Sequence, residues 1–226
     1  MFPPTVRRVP LVAAATFAVL SVLAVVVVPR RPGVERSGSD IVDHFGAHAG
    51  MIRLQALLTA LALLALVVVI GFARDRLDGP AGHMFTIGAA ALIAQVGIAA
   101  WFSAGLALHA ETLEPATART LADISAMWGP LLTVAAIMMA GPVVWAARQG
   151  RFPRWLAVIA AVFVVEQFVE LLTIIGPAGS FIAPAGPMNV FLGGALLGAF
   201  LLALGVAVAL PATGPAAAAP DQFTAS

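Results

Sequence analysis

Residues 54–73 read LQALLTALALLALVVVIGFA, twenty consecutive positions without a charged side chain, bounded by Arg53 and Arg74. An α-helix needs about 20 such residues to cross the ~30 Å hydrocarbon core of a bilayer. Runs of the same character recur along the chain and predict spans at 11–29, 53–73, 84–109, 127–147, 155–175 and 188–210. The sequence therefore predicts an all-α polytopic membrane protein, in which six transmembrane helices form one bundle at 11–210.

The composition of the whole chain supports this class. Of its 226 residues, 61% are hydrophobic and only 10% are charged, whereas soluble domains carry about 25% charged residues. The net charge of +1 gives no basic surface for nucleic acid. The absence of Cys excludes disulfides, thiolate metal sites and cysteine nucleophiles. We expect the lipid bilayer as the main partner, together with a second copy of the chain or another membrane protein.

The distribution of Arg residues predicts the orientation. Cytoplasmic loops carry an excess of basic residues. The basic turn at 148–154 lies on the same predicted side of the bundle as Arg7 and Arg8, so we expect this side to face the cytoplasm. The run after Arg8 has no small-x-small cleavage site, so we interpret it as a retained helix and not as a signal peptide. The sequence predicts a plasma-membrane protein with residues 1–10 and the C-terminus in the cytoplasm, and a disordered tail at 211–226.

Glu166 and Glu170 are the clearest polar signal inside a predicted span. They lie four residues apart in VVEQFVE, so they are separated by only about 40° around the helix. A charged carboxylate is costly in a membrane and two close ones repel, so we expect at least one to be protonated. Two roles remain open: a clamp to Arg or His on a neighbouring helix, and a site that handles protons or cations.

Three histidines are candidates for a metal or haem site. His44 and His48 have the i, i+4 spacing at which two imidazoles can share a metal ion, and His109 ends the third predicted span. The stretch HFGAH lacks the Glu of a zincin motif, so a solvated polar helix face is the alternative. Haem would need two His side chains facing each other across helices. No cofactor is predicted, and no residue is assigned a catalytic role.

Other intramembrane residues have more ordinary interpretations. Gln55 continues the helix face of His44 and His48, and the amide of Gln95 is expected to bond to a neighbouring helix. In the sixth span the small residues Gly194, Gly198 and Gly205 share a face, a pattern typical of close helix packing or dimerisation.

The predicted topology places most of these polar residues toward the outer side. We therefore expect one outward-facing cavity to contain all of the following: His44, His48, His109, Asp123, Glu166 and Glu170.

Four short segments carry a resemblance to a known group of proteins. They are Asp43-His44-Phe45, EPATARTL at 114–121, GRFPRWL at 150–156 and PAGSFIAPAG at 177–186. Their order is similar to that in small six-helix actinobacterial membrane proteins assigned to domains of unknown function, over about residues 41–210. The exclusive use of Arg as the basic residue fits a GC-rich genome. The resemblance implies the topology and transfers no functional residue.

The sequence leaves three functions open. We predict an integral membrane protein with a non-enzymatic accessory, sensing or structural role. The first alternative is a small oligomeric transporter or ion-conducting protein that uses Glu166 and Glu170. The second is a His-dependent metal or haem membrane enzyme.

Overall fold

The computed structural model describes residues 4–210, with side chains from residue 8 onward, and this part of the chain contains helices and no β-strand. The α-helices are α1 (Pro4–Val26), α2 (Gly38–Ala47), α3 (Ala49–Arg74), α4 (Gly79–Leu106), α5 (Pro115–Ala126), α6 (Trp128–Arg148), α7 (Arg154–Glu170) and α8 (Gly194–Ala209). Short 3₁₀ turns lie at Ala110–Thr112 and Leu171–Ile175, and a π-helical segment lies at Met188–Gly193.

Among the described residues 4–210, six stretches are long and apolar enough to cross a bilayer. They are Arg8–Val26, Ala49–Arg74, Gly79–Leu106, Pro115–Arg148, Arg154–Ile175 and Met188–Ala209. The predicted all-α fold with six transmembrane helices is confirmed. The predicted disordered tail at 211–226 lies outside the described residues, as do residues 1–3 of the predicted cytoplasmic N-terminus.

Each span packs mainly against two neighbours, in the order α1, α3, α4, α6, α7, α8 and back to α1. Helix α6 contacts α4 and α7, while α1 packs against α3 and α8. Large apolar side chains fill the space between them, and the rings of Phe163 and Phe200 stack with their centroids 5.2 Å apart. The outward-facing positions are also apolar, as a helix surface in contact with lipid requires.

The predicted glycine face of the last span has three different environments. A Cβ atom at Gly205 would lie 2.2 Å from Cβ of Ala14, so α1 and α8 approach closely at this point. A Cβ atom at Gly194 would lie 3.9 Å from the carbonyl oxygen of Asn189, and one at Gly198 would have no atom of the rest of the structure within 4 Å. Within one chain, close packing therefore involves Gly205, whereas Gly198 is half-buried and has room for a Cβ atom.

The two ends of the bundle differ in structure. At one end, which we call the α2–α5 side, α2 and α5 pack on each other beside the loop at 27–37 and the turn at Ala110–Thr112. At the opposite end, the Arg76 guanidinium donates to the carbonyls of Ala207, Val208 and Leu210 at 3.0, 2.8 and 2.6 Å. Of these carbonyls, that of Val208 lies in the last turn of α8, which leaves it without a helical partner.

Candidate functional site

Five buried polar side chains form a carboxylate cluster inside the bundle. Glu166, Gln167, Glu170, Thr173 and Asn189 are 8%, 4%, 5%, 0% and 9% exposed. Four of them belong to α7 and the 3₁₀ turn that follows it, and Asn189 belongs to the π-helical segment that opens the last span. The cluster therefore joins the fifth and sixth spans within an otherwise largely apolar interior.

Hydrogen bonds from two amides hold the carboxylates in place. Gln167 Nε2 donates to Glu166 Oε2 at 2.8 Å and to Glu170 Oε2 at 2.6 Å. Asn189 Nδ2 donates to Glu170 Oε1 at 2.5 Å and to Thr173 Oγ1 at 3.3 Å. Both oxygens of Glu170 are thus bound, one from its own helix and one from the neighbouring span.

Irregular helical turns make this arrangement possible. The α-helix of α7 ends at Glu170 and continues as a 3₁₀ turn, while the facing segment Met188–Gly193 is π-helical. A Cβ atom at Gly193 would lie 2.3 Å from Glu170 Oε2, so only a glycine leaves room for the carboxylate here. Single π-helical turns inside α-helices occur frequently at functional sites.

The cluster lacks a positive partner. In the described part of the chain the ion pairs are Glu35–Arg36, Asp78–Arg151 and Arg119–Asp123, and none of them involves Glu166 or Glu170. Glu166 Oε1 and Asn189 Oδ1 are buried without any hydrogen-bond partner. One predicted role of the pair was a clamp to Arg or His on a neighbouring helix. The predicted Arg or His partner is wrong, because the side chain that contacts Glu170 from the neighbouring span is the amide of Asn189.

A second polar region is a cavity of about 440 Å³ on the α2–α5 side, which we call the Arg31 cavity. Arg31 donates from Nη1 to Ser125 Oγ at 2.8 Å and from Nη2 to Ser103 Oγ at 2.5 Å. Its guanidinium carbon lies 5.3 Å from the ring centroid of Phe45. Burial lowers the pKa of Arg31 from its ordinary value, but a guanidinium keeps its charge in proteins.

His44 lines the Arg31 cavity. Burial, and then the neighbouring His48 and Arg31, lower the pKa of His44 from its ordinary value. All three effects disfavour the imidazolium, so we expect His44 to be neutral at pH 7. A neutral His44 adds no positive charge to that of Arg31.

The predicted histidine site is only partly assembled. The rings of His44 and His48 are 4.8 Å apart, and His48 Nδ1 lies 2.9 Å from the carbonyl oxygen of His44. His109 precedes the turn at Ala110–Thr112, where its carbonyl accepts from Thr112 Oγ1 at 3.0 Å. Between residues 4 and 210 no three His, Asp or Glu side chains form a group suited to a metal ion.

The prediction of one shared cavity is wrong. The Arg31 cavity is lined by His44 and Asp123 but not by His48, His109 or the two glutamates. The glutamates lie instead in the separate cluster within the fifth span, where Asn189 of the π-helical segment donates to Glu170.

The two intramembrane glutamines, Gln55 and Gln95, differ in their hydrogen bonds. Gln55 Nε2 donates to the carbonyl of Ala24 at 2.8 Å and so joins α3 to α1. Gln95 was expected to bond to a neighbouring helix, but its Oε1 is buried without a partner. Both amides line a smaller cavity of about 320 Å³ that also reaches Arg31 and Ser125.

Sequence reasoning missed Asn189, Gly193 and Arg31. Asn189 carries a readable signal, because it is the only Asn in the chain and begins the last predicted span. Arg31 stands in the sequence PRRPG, where it looks like an ordinary flanking residue. For Gly193 the sequence holds no signal that separates it from Gly194.

Comparison of the chain with protein-family models, with curated proteins and with solved structures gave no match. The resemblance to six-helix actinobacterial proteins therefore remains a prediction, and the function has to be inferred from the site itself.

Proposed function

We propose that this membrane protein binds an exchangeable proton or monovalent cation at the carboxylate cluster and transports it. The observation behind the proposal is a pair of buried carboxylates that share one amide and have no basic partner. A second negative charge beside the first is unfavourable in a low-dielectric interior. One bound proton or small cation supplies the missing positive charge.

The unpartnered oxygens support an exchangeable occupant. Glu166 Oε1 and Asn189 Oδ1 are acceptors without donors, and a buried polar atom without a partner costs about 1–3 kcal/mol. A protonated carboxyl group can donate a hydrogen bond to an unpartnered oxygen, and both the carboxyl and the amide oxygen can coordinate a cation. Either occupant therefore removes part of this cost.

The depth of the cluster supports passage toward the α2–α5 side. Glu170 lies five residues before Ile175, where the fifth span ends in a 3₁₀ turn. At about 2 Å per residue, this places Glu170 about 10 Å from the end of the span. Toward the opposite side the path is filled by buried apolar side chains such as Phe163 and Phe200. Transport thus requires a rearrangement there, and the irregular turns around the cluster are the segments best suited to it.

A structural role is the second candidate, and one observation favours it. The bond from Asn189 Nδ2 to Glu170 Oε1 joins two spans directly, and polar side chains often hold membrane helices together. In this case the protein is a non-enzymatic accessory, sensing or structural component, and the glutamates stabilise it without exchanging ions.

Ion flux distinguishes the two candidates. We expect liposomes containing the wild-type protein to carry protons, Na⁺ or K⁺ down an imposed gradient, and E166Q/E170Q to reduce this flux at least about tenfold, because the variant has no carboxylate to bind the ion. Flux is followed with a pH-sensitive dye for protons and with cation-sensitive dyes for Na⁺ and K⁺.

Glu111→Gln is the matched control, since Glu111 is exposed on the α2–α5 side. It should leave the flux unchanged. Two results would reject ion transport and favour the structural role. In one, liposomes with the wild-type protein are no more permeable to any of the three ions than empty liposomes; in the other, the double variant gives the same flux as the wild type.

A further inference from the structure

We propose that the Arg31 cavity binds an anionic group, a phosphate or carboxylate, carried by a molecule with an apolar body. This site is separate from the carboxylate cluster and does not depend on ion transport there. In this cavity the Arg31 guanidinium, the Ser125 hydroxyl and apolar side chains line the same space.

The charge of Arg31 is the first argument. Its hydrogen-bond partners Ser103 and Ser125 are neutral hydroxyl groups, and Arg31 belongs to none of the ion pairs among residues 8–210. Asp123 lines the same cavity, but its Oδ2 accepts from Arg119 Nε at 3.0 Å. A largely enclosed guanidinium without a counter-ion favours an anion, which it can hold through two parallel N–H donors.

The apolar lining is the second argument. Val25, Val28, Ile52 and Phe191 contribute to the walls, at the level where the first span ends and the second begins. A volume of about 440 Å³ lies in the range of small-molecule sites. An inorganic anion would contact the polar wall alone, whereas an amphiphile would also cover the apolar wall. We therefore place the anionic head at Arg31 and the apolar body along Phe191 and Ile52.

Arg30 adds a second positive charge at the edge of this site. It is exposed, its guanidinium carbon lies 4.8 Å from the ring centroid of Phe191, and it lines the same cavity. A charge in this position attracts an anion before Arg31 holds it. Arg30 can be replaced without removing a buried hydrogen bond, which makes it useful in the test.

The test is thermal unfolding of the full chain in detergent with three separate additions: phosphatidylglycerol, oleate and inorganic phosphate. Phosphatidylcholine serves as the zwitterionic control. We expect phosphatidylglycerol or oleate to raise the Tm of the wild type, because a ligand that binds only the folded state stabilises it. In Arg31→Gln the half-effect concentration should rise at least about tenfold, since hydrogen bonds to a charged group are lost.

Arg53→Gln is the matched control, because Arg53 is an exposed Arg near the same level that does not line the cavity. It should respond like the wild type. If Arg31→Gln does not fold, Arg30→Gln replaces it and should still weaken the response to the ligand.

The additions also identify the source of the anion. A rise with inorganic phosphate alone, lost in Arg31→Gln, overturns the proposed apolar body and assigns the cavity to a free anion. A rise confined to phosphatidylglycerol or oleate, lost in the same variant, assigns an amphiphile. No rise with any of the three, or an equal rise in the wild type and in whichever Arg variant folds, overturns the site.

Discussion

Replacing Asn189 with Leu should destabilise the protein by about 2 kcal/mol, near the upper limit for interhelical hydrogen bonds in membrane proteins. The change removes the donor to Glu170 Oε1 and leaves a buried carboxyl oxygen without a partner. Leucine keeps the branched shape of asparagine, but its methyl group cannot lie as close to Oε1 as Nδ2 does at 2.5 Å, which adds to the loss. The free energy of unfolding in mixed micelles measures the change.

A double-mutant cycle tests whether this loss arises at Glu170. In the Glu170→Leu background, Asn189→Leu should cost clearly less, because no side-chain acceptor for the Asn189 amide remains at position 170. Gln149→Leu removes an exposed amide at the end of α6 and should change stability little. Equal costs of Asn189→Leu in both backgrounds would show that the bond to Glu170 does not hold the two spans together.

Replacing Gly193 with Ala should also destabilise the protein, by about 1–3 kcal/mol, the usual cost of overpacking. The added Cβ would lie 2.3 Å from Glu170 Oε2 and 2.9 Å from Cδ of the same carboxyl group. A free side chain would rotate away, but amides of Gln167 and Asn189 hold both oxygens. We expect the Tm to fall and, in liposomes, ion flux to fall with it.

The neighbouring glycine provides the control. A Cβ at Gly194 would meet only the carbonyl oxygen of Asn189 at 3.9 Å, an ordinary contact distance, so Gly194→Ala should be tolerated. If the two alanine variants unfold at the same temperature, the carboxyl group of Glu170 is not confined as the structure shows.

The six spans follow from sequence because crossing a bilayer is a local requirement. Each helix needs its own run of about 20 apolar residues, whatever its neighbours are. The same local geometry relates Glu166 to Glu170, since four residues along a helix determine a shared face. These features depend on one segment at a time, and a single sequence is enough to predict them.

The partners of the glutamates depend on contacts between segments. Asn189 follows Glu170 by 19 residues and reaches it only because the π-helical segment turns its amide toward α7. An Arg or His partner was predicted from charge alone. Which side chain contacts the glutamates depends instead on which helices pack against α7. No local pattern distinguishes Gly193, which contacts the carboxyl group, from Gly194, which does not.

Arg31 shows that contacts of a loop residue are equally hard to predict from sequence. Two arginines between prolines look equivalent in PRRPG, yet Arg31 reaches Ser103 and Ser125 while Arg30 remains exposed. His44 and His48 are the converse case, because their i, i+4 spacing suggested one site. The structure keeps His44 at the cavity, while His48 is bonded to the backbone.

Infrared spectroscopy of the lipid-embedded protein tests the carboxylate cluster most directly. At neutral pH, in a buffer without Na⁺ or K⁺, a proton is the occupant that remains, so the wild type should show the carbonyl band of a buried protonated carboxyl group. The band should persist in Glu111→Gln and disappear in E166Q/E170Q. A wild-type spectrum in which both glutamates are ionised under these conditions would contradict the proposed exchangeable site.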